Sequence, residues 1–482
     1  MIERDMDAAC GREFDLIVVG GGIYGVSLLR EAARRGLSAC LCEAGDFGGG
    51  TSWNSLRIVH GGLRYLQTAD LRRFFQSVAA RRRVARQFPT LVRPLECLMP
   101  LYGQGMKRTS VMRMALLAND LLSAWRNRGV AETARLPVGR VLDVAATKRV
   151  FPRVRADGLE GAALWSDFSM LSSERIVIEL LHDACRHGAV ALNYASVTEV
   201  VGEGRVARGV RLRDTISGEV RVCAARSVVN CAGPRVRSLV RGKGGDVERL
   251  FQPSLAFNLM LDIHVPCDCA LAVAPPQPGA PVLFVVPQGE NLLAGTMHLP
   301  RPAETMEAVP TDAEVKSFLG LLNAAIPRLE ARPDNVRRVF AGLLPATAAG
   351  STDLVKREVL LDHGRTGGLE RLYSISGVKF TTADDVARQA LEMMGAGDKT
   401  MDEVSELPLS PATNVLTDAR TLWDADASTV GAALKRVIEE EAVQSLDDLV
   451  VRRSNWATTE TDLDRVRERV ELLANGGSIE HR

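Results

Sequence analysis

The sequence predicts an α/β protein: a discontinuous dinucleotide-binding domain, an inserted mostly antiparallel β domain, and a short helical C-terminal domain. Three observations carry this expectation. Residues 15–43 read strand, glycine-rich turn, helix, strand and acid, the order of a βαβ unit. Strand and helix patterns return at 174–240 and again at 371–394. Between them, 250–300 is a set of strand-like runs separated by a proline-rich loop. A chain of 482 residues exceeds what one core usually supports. The expected division is 12–70, 150–240 and 355–400 for the dinucleotide domain, 71–149 and 241–354 for the inserted domain, and 401–482 for the helical domain.

Asp15–Val19, DLIVV, is an apolar run suited to a buried parallel strand. Gly20, Gly22 and Gly25 follow as G-x-G-x-x-G. They permit a tight turn and close approach of backbone to a pyrophosphate. The next helix then offers its free N–H groups and positive dipole to the phosphate oxygens. That helix reads VSLLREAARRG and ends at Gly36, a suitable C-cap. A second apolar run, LSACLCE, ends in Glu43, about twenty residues on, where a carboxylate accepts from ribose hydroxyls. No arginine follows Glu43 directly, which argues against a 2′-phosphate and so against NADP.

Downstream, ERIVIELLHDACRHG reads as a helix. VALNYA, SVTEVVGEG, RVARGVRLRD and EVRVCAARSVVNCAG read as short strands, with hairpins inserted in the α/β domain. SVVNCAG at 227–233 runs into a small-residue turn and gives a second close backbone approach to a ligand. FQPSLAFNLMLDIHV, APVLFVVPQG and NLLAGTMHL, with the loop APPQPGAP, indicate a separate sheet. RLYSISGVKF and TTADDVARQALEMMGAG form a last βα unit, with Thr381 or Thr382 as N-cap and Asp384 and Asp385 in the first turn. The tail from about 401 is helical and charged.

Net charge is +1 with 25% charged residues, so nothing in the composition points to nucleic acid. The first residues lack the apolar core of a signal peptide, and no run approaches the ~20 apolar residues of a membrane span. A cytoplasmic location is expected. The nine cysteines include no C-x-x-C pair. Reduced core cysteines are the economical reading, with Cys40 and Cys42 on one face of a buried strand. The seven histidines show no paired metal spacing, so no metal is expected.

A three-piece α/β domain with an inserted β domain is not the plan of a simple nicotinamide dehydrogenase. The chain resembles the FAD-dependent oxidoreductases of the D-amino-acid oxidase superfamily, and among them the flavin-dependent glycerol-3-phosphate dehydrogenases. The residues that carry the resemblance are GTSWNSLRIVHGGLRYLQ at 50–67, WSDFSMLSSER at 165–175, VVNCAGP at 228–234, SGVKFTTADDVA at 376–387 and AVQSLDDLVVRRSNW at 442–456. It covers essentially the whole chain, with a tail shorter than usual. It implies a Rossmann-like FAD domain and oxidation of sn-glycerol 3-phosphate to dihydroxyacetone phosphate, with hydride transfer to flavin N5. It implies cofactor contacts at Gly20, Gly22, Ile23, Tyr24, Gly25, Glu43, Ala44, Thr51, Ser52, Val197, Ala232, Gly233, Gly377, Lys379, Phe380 and Thr381.

His60 follows the apolar run RIV and precedes Gly61-Gly62, which let backbone come close. A histidine accepts a proton near neutral pH, so His60 is the candidate base; a satisfied core histidine is the plain alternative. Arg64, four residues on, shares a face with His60 if the segment is helical, and its guanidinium suits a phosphate or carboxylate. Lys379 stands at a strand-to-helix junction, where it either stabilises charge developing on the flavin or contacts substrate. The resemblance gives Arg357 the phosphate end. Catalytic roles are thus expected at His60, Arg64 and Lys379, and substrate binding at these three and Arg357.

Three departures lie near the expected pocket. Leu344 stands where the family has an arginine in a GVRPL segment. GTMH ends at His298 where the family reads GTTD. Trp53 and Leu56 replace small hydroxyl residues. The alternative is therefore a superfamily member acting on another hydroxy compound, an amine or an amino acid. The family passes electrons to membrane quinone or to oxygen. Residues 106–128 and 72–86 combine basic and apolar residues at helical spacing. They read either as packed helices with solvated arginines or as a peripheral contact with the inner face of a membrane.

Overall fold

The computed structural model describes every residue except 67, 104, 106–107, 243–247, 278, 397–405, 419, 461 and 475–482. Of the segments singled out above, Gln67, Met106, Lys107, Pro278, the end of the third dinucleotide piece and both ends of the helical domain lie outside the described residues.

A six-stranded sheet holds the dinucleotide unit. Its spatial order is Val359–Asp362, Leu372–Ser376, Val228–Asn230, Leu16–Val19, Ala39–Cys42, Val190–Leu192. All neighbours are parallel except the first pair. The strands come from three separated stretches of chain, as expected. The reason for their unbroken apolar runs is visible. Leu16, Val18, Leu41 and Val229 face a core shared with the helices Ile23–Arg34, Ser173–Arg186 and Ala383–Met393. Ile17, Val19, Cys40, Cys42 and Val228 face a second core on the other side. A parallel sheet buried on both faces has no place for a polar alternation.

That second face is covered by a four-stranded sheet, in the order Glu13–Phe14, Val220–Ala225, Val206–Asp214, Ala195–Glu203. It contributes Val200, Val210, Leu212 and Cys223 to the core. These are the expected hairpins. One expectation about cysteine is corrected here: Cys10 is joined to Cys223 as a disulfide. The N-terminal helix Met6–Cys10 packs on the strand Val220–Ala225 and brings the two Cα atoms to 4.4 Å. The other seven cysteines are free.

The third sheet has nine strands and is mostly antiparallel. Its main path runs Val336–Pro345, Pro253–Leu261, Asn291–Pro300, Leu283–Gln288, Ala270–Val273, Val92–Leu101, Gly161–Met170, Ile58–Val59. Arg140–Leu142 also pairs with Gly161–Met170. Ile58–Val59 and Gly161–Met170 therefore run in this sheet, although boundaries at 70 and 150 assign them to the dinucleotide side.

The last helices surround Trp456, which is fully buried. A buried charge network ties them to the dinucleotide helix Ser173–Arg186. Arg175 grips both oxygens of Glu441 at 2.8 and 2.7 Å, and His182 Nε2 lies 3.0 Å from the same carboxylate. Arg453 binds Asp46, and Arg57 binds both oxygens of Glu174 at 3.0 Å. Buried charges of this kind hold only when each is paired. Among the described residues no helix is long and apolar enough to cross a membrane.

Candidate active site

In the six-stranded sheet, Leu16–Val19 is flanked by Ala39–Cys42 on one side and by Val228–Asn230 on the other. The winding reverses there, and the crevice beyond the carboxyl ends of such strands is where an open α/β sheet binds ligands. Gly20 opens the crevice with φ +103°; a Cβ on it would lie 2.6 Å from the carbonyl oxygen of Cys231. A Cβ on Gly25 would lie 1.9 Å from the carbonyl oxygen of Gly20. The turn can close only with glycine. Gly22 is the N-cap of the helix and offers no side chain to its N–H groups. Ser52 Oγ accepts from Ile23 N–H at 2.9 Å, which brings the signature segment onto this helix end.

Glu43 closes the other wall. Its two carboxylate oxygens accept from Gly21 N–H at 2.6 Å and Gly45 N–H at 2.9 Å. Burial pushes its pKa up against those hydrogen bonds. From Glu43 and Ala44 a groove of about 800 Å³ extends past Tyr194, Ser196, Arg235 and Arg452. Val197 is the neighbour of the lining residue Ser196. Ala232 and Gly233 follow Cys231 at the crevice edge, with Gly233 at φ +53°. A glycine-capped helix N-terminus, glycines without room for a Cβ and a carboxylate after the second strand are what a pyrophosphate-linked dinucleotide requires. The residues present fit FAD.

The crevice continues to the last βα unit. Tyr24 donates its hydroxyl to the Lys379 carbonyl at 3.0 Å and accepts from Lys379 N–H at 3.1 Å. A Cβ on Gly377 would lie 2.3 Å from that hydroxyl, so Gly377 is what lets the ring seat. Phe380 and Thr381 enter a short 3-10 helix, Phe380–Thr382, ahead of Ala383–Met393. The expected threonine cap is not formed: Thr382 turns its hydroxyl to Glu358 at 2.8 Å. Thr51 donates to the Leu343 carbonyl at 3.3 Å, and a Cβ on Gly342 would strike its side chain. Trp53 and Leu56 pack against Met260, Leu293 and Phe340.

His60 and Arg64 do not share a helical face. His60 precedes Gly61 and Gly62, and the helix Leu63–Leu66 begins only after them. Gly62 has φ +86°, and a Cβ on Gly61 would strike the Arg81 guanidinium. The glycines instead bend His60 toward the strand Gly161–Met170. His60 Nδ1 lies 3.2 Å from Oδ2 of Asp167, while the histidine side chain remains 46% exposed. The other Asp167 oxygen accepts from Arg81 at 2.6 Å and from Gly61 N–H at 2.8 Å. Burial would push this carboxyl up, yet the His60 hydrogen bond and the Arg81 charge hold it well below the usual range. An ionised Asp167 can only accept, so Nδ1 carries the hydrogen and Nε2 is left as an acceptor.

Beyond the glycines, Tyr65 is the centre of a cationic cluster. Lys379 Nζ lies 4.6 Å from its ring centroid, Arg73 Cζ 4.3 Å and Arg64 Cζ 5.7 Å. Against burial, the hydrogen bond and charge of Lys379 and the charges of Arg73 and Arg64 hold the phenol below its ordinary range. His298 lies in reach of Arg64; burial and that charge lower its pKa, and its Nδ1 is buried without a partner. Leu344 is half-buried on the strand Val336–Pro345. Arg357 is exposed, and none of the contacts found joins it to His60, Arg64 or Lys379. Asp167, Tyr65, Arg73 and Arg235 are the members that motif reading passes over. Only Asp167 gives a signal, as the one charged residue in the strand Gly161–Met170.

Residues 15–392 match the family described as FAD dependent oxidoreductase. A curated relative, glycerol-3-phosphate dehydrogenase 1 of Mycobacterium tuberculosis, is 30% identical over 403 residues, covering 80% of this chain and 74% of its own. An alpha-glycerophosphate oxidase of Streptococcus pyogenes is 28% identical over 348 residues, 70% of this chain and 55% of its own. Among solved structures, the glycerol-3-phosphate dehydrogenase of Bacillus halodurans complexed with FAD superposes with a TM-score of 0.73 at 19% identity. It covers 99% of this chain and 93% of that one, and shows the same fold.

Proposed function

The chain belongs to the family of FAD-dependent oxidoreductases, and we propose that it oxidises sn-glycerol 3-phosphate to dihydroxyacetone phosphate. The names of its relatives suggest the substrate. The observation that carries the reading is a proton acceptor, His60 on Asp167, followed four residues on by Arg64 in the cationic cluster around Tyr65. In this reaction the alcohol carbon loses a hydride and its hydroxyl loses a proton, two electrons and two protons in all. Bound FAD supplies the two-electron acceptor.

The residues divide the remaining work. The turn Gly20–Gly25 with Ser52 holds the pyrophosphate, and Glu43 with Ala44 holds the ribose. Tyr24, Gly377 and the turn at Lys379 bound the flavin end. His60 takes the hydroxyl proton at Nε2, because Nδ1–H is committed to Asp167. Arg64 and Lys379 hold the phosphate dianion as charge-assisted hydrogen-bond donors. Anaerobic addition of sn-glycerol 3-phosphate to the FAD-loaded protein is expected to bleach the visible flavin absorbance. Full retention of the absorbance overturns the reading.

A second reading, oxidation of an amine or amino acid, draws on one observation: a half-buried leucine at 344 beside the segment that meets Thr51. Peroxide release on a panel of amines, with an inert flavin toward glycerol 3-phosphate, decides for it.

For the electron acceptor we infer quinone, with oxygen as the alternative. The helix Thr109–Leu122 packs inward through Met112 and Leu116 and exposes Met114, Leu117 and Leu121 at 65, 53 and 69%. With exposed Arg113 beside them, these suit a peripheral contact with anionic lipid. Co-sedimentation with anionic vesicles that is lost at high salt supports this; no binding at low salt removes it.

A further inference from the structure

We propose that Arg73 is a specificity-determining residue, the third cation of an anion subsite that it forms with Arg64 and Lys379 around Tyr65. The inference rests on the reading of an anionic substrate given above and names the group that selects for it.

Arg73 stands in the first turn of the helix Leu71–Gln87, behind the N-cap Asp70. That turn holds two arginines and no acid, so its charge opposes the helix dipole rather than serving it. A residue placed against the local preference calls for a gain elsewhere. Its guanidinium lies 4.3 Å from the Tyr65 ring, the ring that Lys379 and Arg64 also approach. Its Nε is buried without a hydrogen-bond partner.

Among the described residues the carboxylate that meets this group of three cations is Asp70, 3.4 Å from Arg73. The other Asp70 oxygen is already used by the helix, accepting from Arg73 N–H at 3.1 Å. Three positive charges around one buried ring leave an excess that a doubly charged anion neutralises. Inorganic phosphate and a phosphomonoester share this chemistry. An uncharged polyol does not.

The test measures binding of inorganic phosphate to the FAD-loaded protein by calorimetry, for wild type, Arg73→Leu, Arg73→Lys and the exposed neighbour Arg72→Leu. Retained FAD and an unchanged melting temperature establish that the variants fold. Arg73→Leu is expected to weaken phosphate binding about 10- to 100-fold, the loss of one charge-assisted hydrogen bond. It should raise KM for glycerol 3-phosphate rather than lower kcat. Arg73→Lys recovers part of the affinity as a point charge, and Arg72→Leu binds as wild type. A wild type that binds no phosphate, or an Arg73→Leu variant within twofold of it, overturns the proposal. If phosphate binding depends on Arg73 while glycerol 3-phosphate leaves the flavin unbleached, the subsite stands and the substrate reading fails. The reverse pattern sinks the subsite alone.

Discussion

His60 Nδ1 and Asp167 Oδ2 lie 3.2 Å apart across 107 residues of sequence, on two neighbouring strands of the nine-stranded sheet and its edge loop. The contact fixes the tautomer of His60, whose side chain remains 46% exposed. It depends on Gly61, whose missing side chain leaves room for the Arg81 guanidinium that also holds the carboxylate.

Replacing Asp167 by asparagine removes the anion that holds Nδ1–H. A positioned general base contributes about 10²- to 10⁴-fold, so kcat is expected to fall by at least 10²-fold while the protein keeps its FAD. A variant within threefold of wild type shows that the pair is structural only.

Gly25→Ala places a methyl 1.9 Å from the Gly20 carbonyl oxygen, a backbone atom that cannot turn aside. Protein that folds at all is expected to purify without FAD. Full flavin occupancy, measured by absorbance ratio, contradicts the tight-turn account.

Glu43→Gln separates stability from binding. Burial holds the Glu43 carboxyl above its ordinary range, so its ionised form costs stability at neutral pH. The variant apoprotein is expected to melt no lower than wild type, yet to bind FAD about tenfold more weakly through loss of charged acceptors. A fall in melting temperature with unchanged affinity reverses the assignment.

Glu441 makes the helical domain acid-sensitive. Burial opposes its ionisation, but Arg175 and His182 hold its pKa at about 2, against an ordinary 4.5. A depressed carboxylate stabilises above its unfolded pKa. That contribution is complete above about pH 5 and is lost as pH falls toward 2. Glu441→Gln should flatten the dependence of melting temperature on pH over this window. Arg175→Met, which leaves Glu441 and Glu179 buried without their main partner, is expected to cost about 3–5 kcal/mol in denaturant unfolding.

The cofactor cradle was legible because its requirements are local. Gly20 answers to a positive φ and Gly25 to Cβ clearance from the Gly20 carbonyl five residues before it, and apolar runs of four or five announce strands buried on both faces. The same local reasoning misplaced Arg64. Spacing of four suggested one helical face, but Gly61 and Gly62 break the helix before it includes His60. It also left Cys10 and Cys223 unpaired, since 213 residues separate them and only the packing of the first helix on a hairpin strand brings them together.

By itself, then, the amino-acid sequence determined a dinucleotide protein of three assembled pieces, because backbone geometry and strand burial are written in short windows. Tertiary structure alone decided what the pocket beside the cradle can hold. Which carboxylate orients His60, which ring gathers Arg64, Arg73 and Lys379, and whether Arg357 joins them depend on charges brought within a few ångströms from distant segments. Coulombic and hydrogen-bond energies follow distance in space and carry no trace in sequence spacing.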